Sequence, residues 1–155
     1  MQIKLIVIGK TNTPFVKEGF EEYQKRLKHY VNFTYAELPD VKKQNTHEQL
    51  KKAEGERLLQ QVNTSDKLVL LDEKGKMFRS VEFAKQIEKW QIQSVPSVVF
   101  AVGGAFGFSE EVYRRADMKI SLSPMTFSHQ MIRLLFIEQL YRAFTIIKGE
   151  KYHHE

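Results

Sequence analysis

The apolar and polar positions of this chain fall into two kinds of segment. Short runs that are almost entirely apolar, as in strands buried on both faces, occupy residues 2–9, 31–38, 66–72, 98–102 and 120–122. In the segments between these runs, apolar residues recur at steps of three and four, which predicts helices with one buried face. Since predicted strands and helices alternate along the chain, the pattern predicts an α/β fold with a parallel sheet flanked by helices on both faces.

Capping residues mark where the helices should begin. The predicted N-cap residues are Thr13, Thr46, Ser80 and Ser109. Pro14 stands at the first position of the first helix, and Gln49 completes a capping box with Thr46. A turn is predicted at 73–76, after the third strand, and the last helix is predicted from about His129 to Ile147. The buried face predicted for the second helix is Leu50, Ala53, Leu58 and Val62.

Length and composition narrow the class of protein. A chain of 155 residues with 42% hydrophobic content is typical of a folded protein, and we expect one domain spanning residues 1–155. No run approaches the roughly 20 apolar residues of a membrane span, and the run at 2–9 lacks a signal-peptide cleavage site, so we expect a cytoplasmic protein with no membrane association. The absence of cysteine excludes disulfides, thiolate metal sites and a cysteine nucleophile. The five histidines lack the spacing of a helical zinc site, so no metal is expected.

The charge balance bears on the kind of partner. Lysine and arginine number 24 against 19 aspartates and glutamates, which gives a net charge of +5. Such a surplus favours a polyanionic partner, because each phosphate that a cation neutralises releases counterions. Many basic proteins bind no nucleic acid, however, so the charge favours RNA only weakly by itself.

Three predicted strands end in unusual residues. Ligands of open parallel α/β sheets bind beyond the carboxyl ends of the strands, and these ends hold Leu71-Asp72, Gly103-Gly104 and the segment 122–127. The glycine pair lets backbone approach a ligand, but its GGxxG pattern differs from the GxGxxG of dinucleotide sites, and alone it favours a plain tight turn. The proline-bearing segment predicts a stiff loop whose amides can contact a flat heterocycle, or an ordinary loop in which Ser128 caps the last helix.

The last predicted helix is apolar around almost its whole circumference. Such a helix on a small protein is expected to be buried on more than one side, which favours a homodimer. Its few polar residues are His129, Arg133, Glu138 and Arg142. Glu138 and Arg142 have the spacing of a plain ion pair, and His129 near the helix start has an equally plain structural interpretation. The tail after Ile147 is expected to be disordered unless Tyr152 and His153 reach an active site, either of this chain or of a second subunit.

An ordered set of motifs over nearly the whole chain resembles one enzyme superfamily. The residues that carry the resemblance are Val7 to Lys10, Glu54-Gly55, Leu71-Asp72, Gly75-Lys76, Gly103-Gly104 with Gly107, Leu122-Ser123, Met125-Thr126, His129, Arg133, Glu138-Gln139, Tyr141 to Ala143, and Tyr152-His153. The set resembles the SPOUT (trefoil-knot) methyltransferases, and within them the family that methylates N3 of a pseudouridine in 23S rRNA.

The resemblance implies a fold, a cofactor and partners. The fold would be an α/β domain with a C-terminal trefoil knot, and the enzyme would be a homodimer acting on 23S rRNA in the assembled ribosome, as 50S subunits or 70S particles. S-adenosylmethionine would be the cofactor. The residues that would bind it are Leu71, Gly103, Gly104, Leu122, Ser123, Pro124, Met125, Thr126 and Phe127.

Catalytic roles follow for the residues near the chain end. His153 and Tyr152 are the candidates for a base and a base-stacking partner, and Arg142, with His129 or Arg133, is the candidate for binding phosphate or the charge that develops on uracil oxygens. Two alternatives remain: a SPOUT enzyme acting on another rRNA or tRNA site, and a noncatalytic ribosome-associated RNA-binding factor. The sequence departs from the family at Phe106, where relatives often carry a polar residue, and at His154, where arginine is common.

Overall fold

The computed structural model describes all residues from 1 to 155 as five strands and five helices. The strands are β1 (Gln2–Ile8), β2 (Asn32–Leu38), β3 (Lys67–Met77), β4 (Ser97–Val102) and β5 (Met118–Ser121). The helices are α1 (Pro14–Leu27), α2 (His47–Leu59), α3 (Ser80–Ile92), α4 (Glu110–Arg115) and α5 (Met131–Ile147). No helix has both the length and the apolar character needed to cross a lipid bilayer.

The strands form one parallel sheet in the order β2-β1-β4-β3-β5. Alternate residues of each central strand point to opposite faces, and each face has its own core. On one face Val7, Val69 and Phe100 pack with residues of α1, α3 and α5. On the other face Ile6 and Leu70 pack with residues of α2 and α4. The predicted α/β architecture with helices on both faces is therefore confirmed, while the trefoil knot stays a prediction.

The turn predicted at 73–76 is wrong. β3 continues to Met77, and Ile120 of β5 pairs with both Leu71 and Lys76, so the residues between them bulge out of the ladder. Gly75 permits this return, because a Cβ at that position would lie 2.6 Å from the backbone nitrogen of Ile120. The residue types of a bulge and of a turn are the same, which is why the sequence pattern does not separate them.

The predicted buried face of α2 is also partly wrong. Leu58 is buried as predicted, but its buried neighbours are Glu54 and Gly55. Leu50 and Ala53 are only half-buried, and Val62 lies beyond the helix end. Apolar periodicity misses this face because α2 approaches its neighbours through a glycine and a carboxyl group rather than through large apolar side chains.

Two of the four predicted N-cap residues make a side-chain cap bond, and two do not. Thr46 Oγ accepts a hydrogen bond from the backbone of Gln49 at 3.1 Å, and Ser109 Oγ accepts one from Val112 at 3.3 Å, as N-cap residues do. Thr13 occupies the cap position of α1 but makes no side-chain cap bond. α3 is capped one residue earlier than predicted, at Arg79, because the Ser80 hydroxyl donates to Gln139 of α5 instead.

Candidate functional site

A cavity of about 600 Å³ opens at the carboxyl ends of β3, β4 and β5. Leu71 reaches it from β3, Gly103 and Gly104 follow β4, and the loop 122–129 follows β5. All of the predicted cofactor-binding residues line this cavity except Pro124. Its volume is that of a site for a ligand the size of a nucleoside. The three strand ends singled out by the sequence therefore meet at one place.

The cavity has an apolar side and an acidic side. Val102, Ile120 and Ile132 contribute apolar surface, whereas Asp72 and Glu73, followed by Lys74, enter from the bulge of β3. Apolar side chains suit the faces of a flat ring, and carboxylates suit hydroxyl groups or a cationic amine. Neither a role for Glu73 nor the bulge that carries it was predicted, because the sequence pattern predicts a turn at 73–76.

Two hydrogen bonds fix the acidic side. Thr126 Oγ donates to Glu73 Oε2 at 2.8 Å, which ties the loop after β5 to the bulge. The Tyr113 hydroxyl, on α4, donates to Asp72 Oδ2 at 2.5 Å. Burial of the hydroxyl, and then this bond to the carboxylate, raise the pKa of Tyr113 to about 12. Tyr113 lines the cavity as a neutral hydrogen-bond donor. The sequence did not predict this role, because an aromatic residue on a short helix is usually a core residue.

The glycine pair is packed tightly on the side that faces α2. A Cβ on Gly104 would lie 2.7 Å from Oε1 of Glu54, and the loop closes through an isolated bridge between Gly104 and Gly107. Gly107 has φ +85°, a conformation that favours glycine. At the tip of the loop, the ring of Phe106 stacks on His47 with 3.7 Å between ring centroids. The glycines thus make a tight turn, as their motif alone favours, and also form the cavity wall.

The candidate catalytic residues of the tail form a second cluster on α5. Arg142 donates to Glu138 Oε1 at 2.5 Å and contacts His153 Nδ1 at 3.1 Å. The Tyr152 hydroxyl donates to the same Glu138 oxygen at 3.0 Å and lies 3.1 Å from the hydroxyl of Tyr23 on α1. The guanidinium of Arg142 lies over the Tyr152 ring, 4.7 Å from its centroid. The tail is therefore held in place by hydrogen bonds to α1 and α5.

This cluster has a defined protonation pattern. Because an arginine guanidinium is always a donor, His153 Nδ1 accepts from Arg142, and a neutral ring then carries its proton on Nε2. Nε2 is buried without a partner in this chain. Desolvation, the bond to Tyr23 and the bond to Glu138 raise the pKa of Tyr152, so its hydroxyl stays protonated. His153 therefore has no free lone pair, and its nitrogen without a partner is buried.

Arg133 does not belong to either cluster, and its suggested role in binding phosphate is wrong. Its side chain is 1% exposed and donates to the backbone oxygens of Ile8, Gly9 and His129 at 2.8 to 3.0 Å, and to the Thr11 hydroxyl at 2.9 Å. All of its donor nitrogens are occupied by the protein. Arg133 is a structural residue that joins α5 to the end of β1.

His129 lies at the mouth of the cavity. It is exposed, precedes α5 rather than starting it, and borders both the main cavity and a neighbouring groove at the ends of β1 and β2. The helix begins two residues later, with Ser128 Oγ accepting from the backbone of Met131 at 3.1 Å. His129 can therefore contact a bound ligand, whereas Arg133 cannot.

Within one chain the tail cluster and the cavity lie apart. Arg142, Tyr152 and His153 do not line the cavity. Ile132, which does line it, precedes Arg142 by ten residues on α5, or about 15 Å of helix length. The structure thus brings the predicted cofactor-binding residues together but does not bring three of the four predicted catalytic residues to them. Nowhere do three His, Asp or Glu side chains converge as metal ligands do.

Comparison with known proteins identifies close relatives. Residues 1–153 match a family model described as predicted SPOUT methyltransferase. A protein of Cytophaga hutchinsonii named ribosomal RNA large subunit methyltransferase H is 51% identical over 155 residues, covering 99% of this chain and 100% of that protein. A protein of the same name from Parabacteroides distasonis is 54% identical over 158 residues and covers both chains completely. Another, from Christiangramia forsetii, is 53% identical and covers 99% of each chain.

Proposed function

Because this chain belongs to the SPOUT methyltransferase family, we propose that it transfers the methyl group of S-adenosylmethionine to N3 of a pseudouridine in 23S rRNA, in the assembled ribosome. The observation that carries the proposal is the cavity at the ends of β3, β4 and β5, which the predicted cofactor-binding residues line together. The name of the relatives, large-subunit rRNA methyltransferase, supports the class of substrate. The site of action would be the cytoplasm, where ribosomes are.

The cavity suits the chemistry of the proposed methyl donor. Its apolar side, with Val102 and Ile120, fits an adenine ring, and its acidic side, with Asp72 and Glu73, fits ribose hydroxyls or an amino group. Gly103 and Gly104 offer backbone groups without side chains in front of them. When bound, S-adenosylmethionine supplies a methyl group on a sulfonium sulfur, which leaves with the electron pair of the broken bond.

In this proposal the tail cluster would stabilise the charge that develops when the acceptor nitrogen loses its proton. N3 of pseudouridine is a weak nucleophile until it loses its proton, to a base or to solvent, and negative charge then spreads onto the neighbouring oxygens. His153 Nε2–H and Arg142 are donors that would stabilise this charge, and the ring of Tyr152 would stack on the base. For His153 to act as the base instead, Nδ1 must first be released from Arg142, which donates to it at 3.1 Å.

We place the complete active site between two copies of the chain. The cavity and the tail cluster lie apart within one chain, and Leu134, Leu135 and Ile146 of α5 are half-exposed. A homodimer would cover these apolar side chains and would allow the tail of one protomer to reach the cavity of its partner. Each site would then combine a donor cavity from one protomer with Tyr152 and His153 from the other.

Mixing two defective variants tests this shared site. One variant carries Tyr152→Ala and His153→Ala and should lose methylation while keeping donor affinity. The other carries Thr126→Trp, which fills the cavity from an exposed loop position and should lose donor binding. Mixed and re-equilibrated dimers should recover roughly a quarter of wild-type activity, since half of them would have one complete site. If the mixture stays inactive although mixed dimers form, the site lies within one chain.

Methylation of ribosomes that lack the modification tests the function itself. We expect methyl transfer to 50S or 70S particles that contain pseudouridine at the target and none to particles with uridine there. Mapping of the methylated nucleoside to another rRNA position or to tRNA would establish a different SPOUT substrate. Failure of the folded protein to bind S-adenosylmethionine in calorimetry would favour a noncatalytic RNA-binding factor.

A further inference from the structure

Glu54 is a buried carboxyl group to which neither the fold nor the proposed methyl transfer assigns a role. It lies on α2 with 9% of its surface exposed, and its Oε1 atom is buried without a hydrogen-bond partner. A buried polar atom with no partner costs free energy, so it calls for a reason other than packing. Apolar side chains of similar size would fill the same space without that cost.

The carboxyl group lies directly behind the wall of the donor cavity. Glu54, Gly103, Gly104 and Gly107 line a second, very small cavity between α2 and the glycine loop. The same glycines line the main cavity on their other side. The loop is thus one residue thick at this point, with the Glu54 carboxyl on one side and the donor cavity on the other.

No cation neutralises this carboxyl group. Asp40, which follows β2, is the charged neighbour that acts on it, and its negative charge adds to desolvation in raising the pKa of Glu54. Lys51 of α2 also borders the small cavity, but its ammonium pairs with Glu48 at 2.7 Å. These surroundings disfavour the charged form of the carboxyl relative to that of a solvated glutamate.

α2 contacts the glycine loop at two points and the start of α4 at a third. His47 stacks on Phe106 at the loop tip, and Glu54 abuts Gly104. Gly55 lies against Ser109 so closely that a Cβ there would be 2.5 Å from the serine oxygen. We propose that Glu54 is a positioning residue for the methyl donor, which sets the affinity of the site by holding the backbone of Gly104 from behind. This inference rests on the proposed function of the cavity.

The affinity of single variants for S-adenosylmethionine tests the inference. The variants are Glu54→Ala, Glu54→Asp and Glu54→Gln, with Glu56→Ala as the matched control, because Glu56 is an exposed glutamate on the same helix. We expect Glu54→Ala to raise the dissociation constant in calorimetry and the KM for the donor about tenfold, because the backbone of Gly104 would lose the group that it packs against. Rates at saturating donor should stay within about twofold, and Glu56→Ala should match wild type.

The other two variants separate positioning from simple packing. Glu54→Gln keeps the size and reach of the side chain, so we expect donor affinity within about threefold of wild type. Glu54→Asp withdraws the group from Gly104 by one methylene and should weaken the donor severalfold even if Glu54→Ala does not fold. Unchanged affinity in Glu54→Asp, or equally weak binding in Glu54→Gln and Glu54→Asp, would overturn the inference. A wild-type protein that does not bind the donor would instead overturn the proposed function, and this inference with it.

Discussion

Arg133 of α5 and Gly9 at the end of β1 lie 124 positions apart in sequence, and a hydrogen bond of 3.0 Å from the guanidinium to the glycine carbonyl joins them. The same guanidinium also holds the carbonyl of Ile8. Gly9 has φ +82°, so the chain leaves the sheet there in a conformation that brings its carbonyl within reach. The C-terminal helix is thereby fixed to the centre of the sheet, one strand away from the donor cavity.

Replacing Arg133 with methionine should destabilise the fold strongly. Methionine fills much of the space but leaves the backbone oxygens of Ile8 and Gly9 buried without this donor, and each such group costs about 1–3 kcal/mol. We expect the free energy of unfolding in urea to fall by at least about 3 kcal/mol. Arg114→Met is the control, since Arg114 makes only an exposed i,i+4 pair with Glu110 and should change stability by less than about 1 kcal/mol. Equal losses in both variants would contradict the structural role.

Replacing Arg142 with lysine should impair the reaction without weakening the donor. Lysine can keep an ion pair with Glu138, but it lacks the planar fork that reaches Glu138 and His153 together. We expect the single-turnover rate of ribosome methylation to fall about 10- to 100-fold, as loss of a hydrogen bond to a charged group does. The dissociation constant for S-adenosylmethionine should not change, because Arg142 does not line the cavity.

Arg114→Lys is the matched control for that variant, since Arg114 also pairs with a glutamate four residues earlier but lies far more exposed. Its single-turnover rate should equal that of wild type. A rate within threefold of wild type for Arg142→Lys would show that holding His153 is not what Arg142 contributes.

The sequence predicted the elements of the fold well because apolar burial is a local signal. The runs at 2–9 and 98–102 are apolar on both faces, and the structure places them as central strands β1 and β4. The wrong predictions arose where a contact depends on distant residues. The stretch 73–76 looks like a turn until Ile120 of β5 pairs on both sides of it, and Glu54 looks like a surface residue until Gly104 packs against it.

The same distinction explains the candidate site. The donor-binding residues follow strand ends, and parallel strands end at one edge, so Leu71, Gly103 and Leu122 could be grouped from their positions alone. The tail could be named only from motif resemblance, and its packing on Tyr23 depends on tertiary structure that no spacing reveals. Arg133 was misassigned for a related reason, since a charged side chain on an apolar helix gives no sign of which carbonyls it will meet.

Replacing Gly75 with alanine should distort the acidic side of the cavity. The new Cβ would lie 2.6 Å from the backbone of both Ile120 and Lys119, and backbone in a paired strand cannot move aside as a side chain does. We expect a loss of about 1–3 kcal/mol in the free energy of unfolding, together with weaker donor binding as Asp72 is displaced. Gly19→Ala is the control, because its Cβ would meet only the flexible end of Leu134. A wild-type donor affinity in Gly75→Ala would rule out a role of the bulge in binding.

The pKa of Glu54 predicts how stability depends on pH. Desolvation, and then repulsion by Asp40, raise this pKa in the folded protein above its value in the unfolded chain, where glutamate titrates near pH 4.3. The folded state therefore binds the proton more tightly, and the stability that this provides is present at low pH and is lost as pH rises through the raised pKa.

Glu54→Gln cannot ionise and loses no stability from this group over that range. Unfolding in urea from about pH 4 to pH 8 should show the stability of Glu54→Gln rising relative to wild type with pH and then levelling off. Comparison with Glu56→Gln, an exposed position on the same helix, removes effects common to any loss of one carboxylate. A difference that stays flat or shrinks with pH would mean that Glu54 is solvated or paired with a cation in solution, and that burial beside Gly104 does not disfavour its charged form.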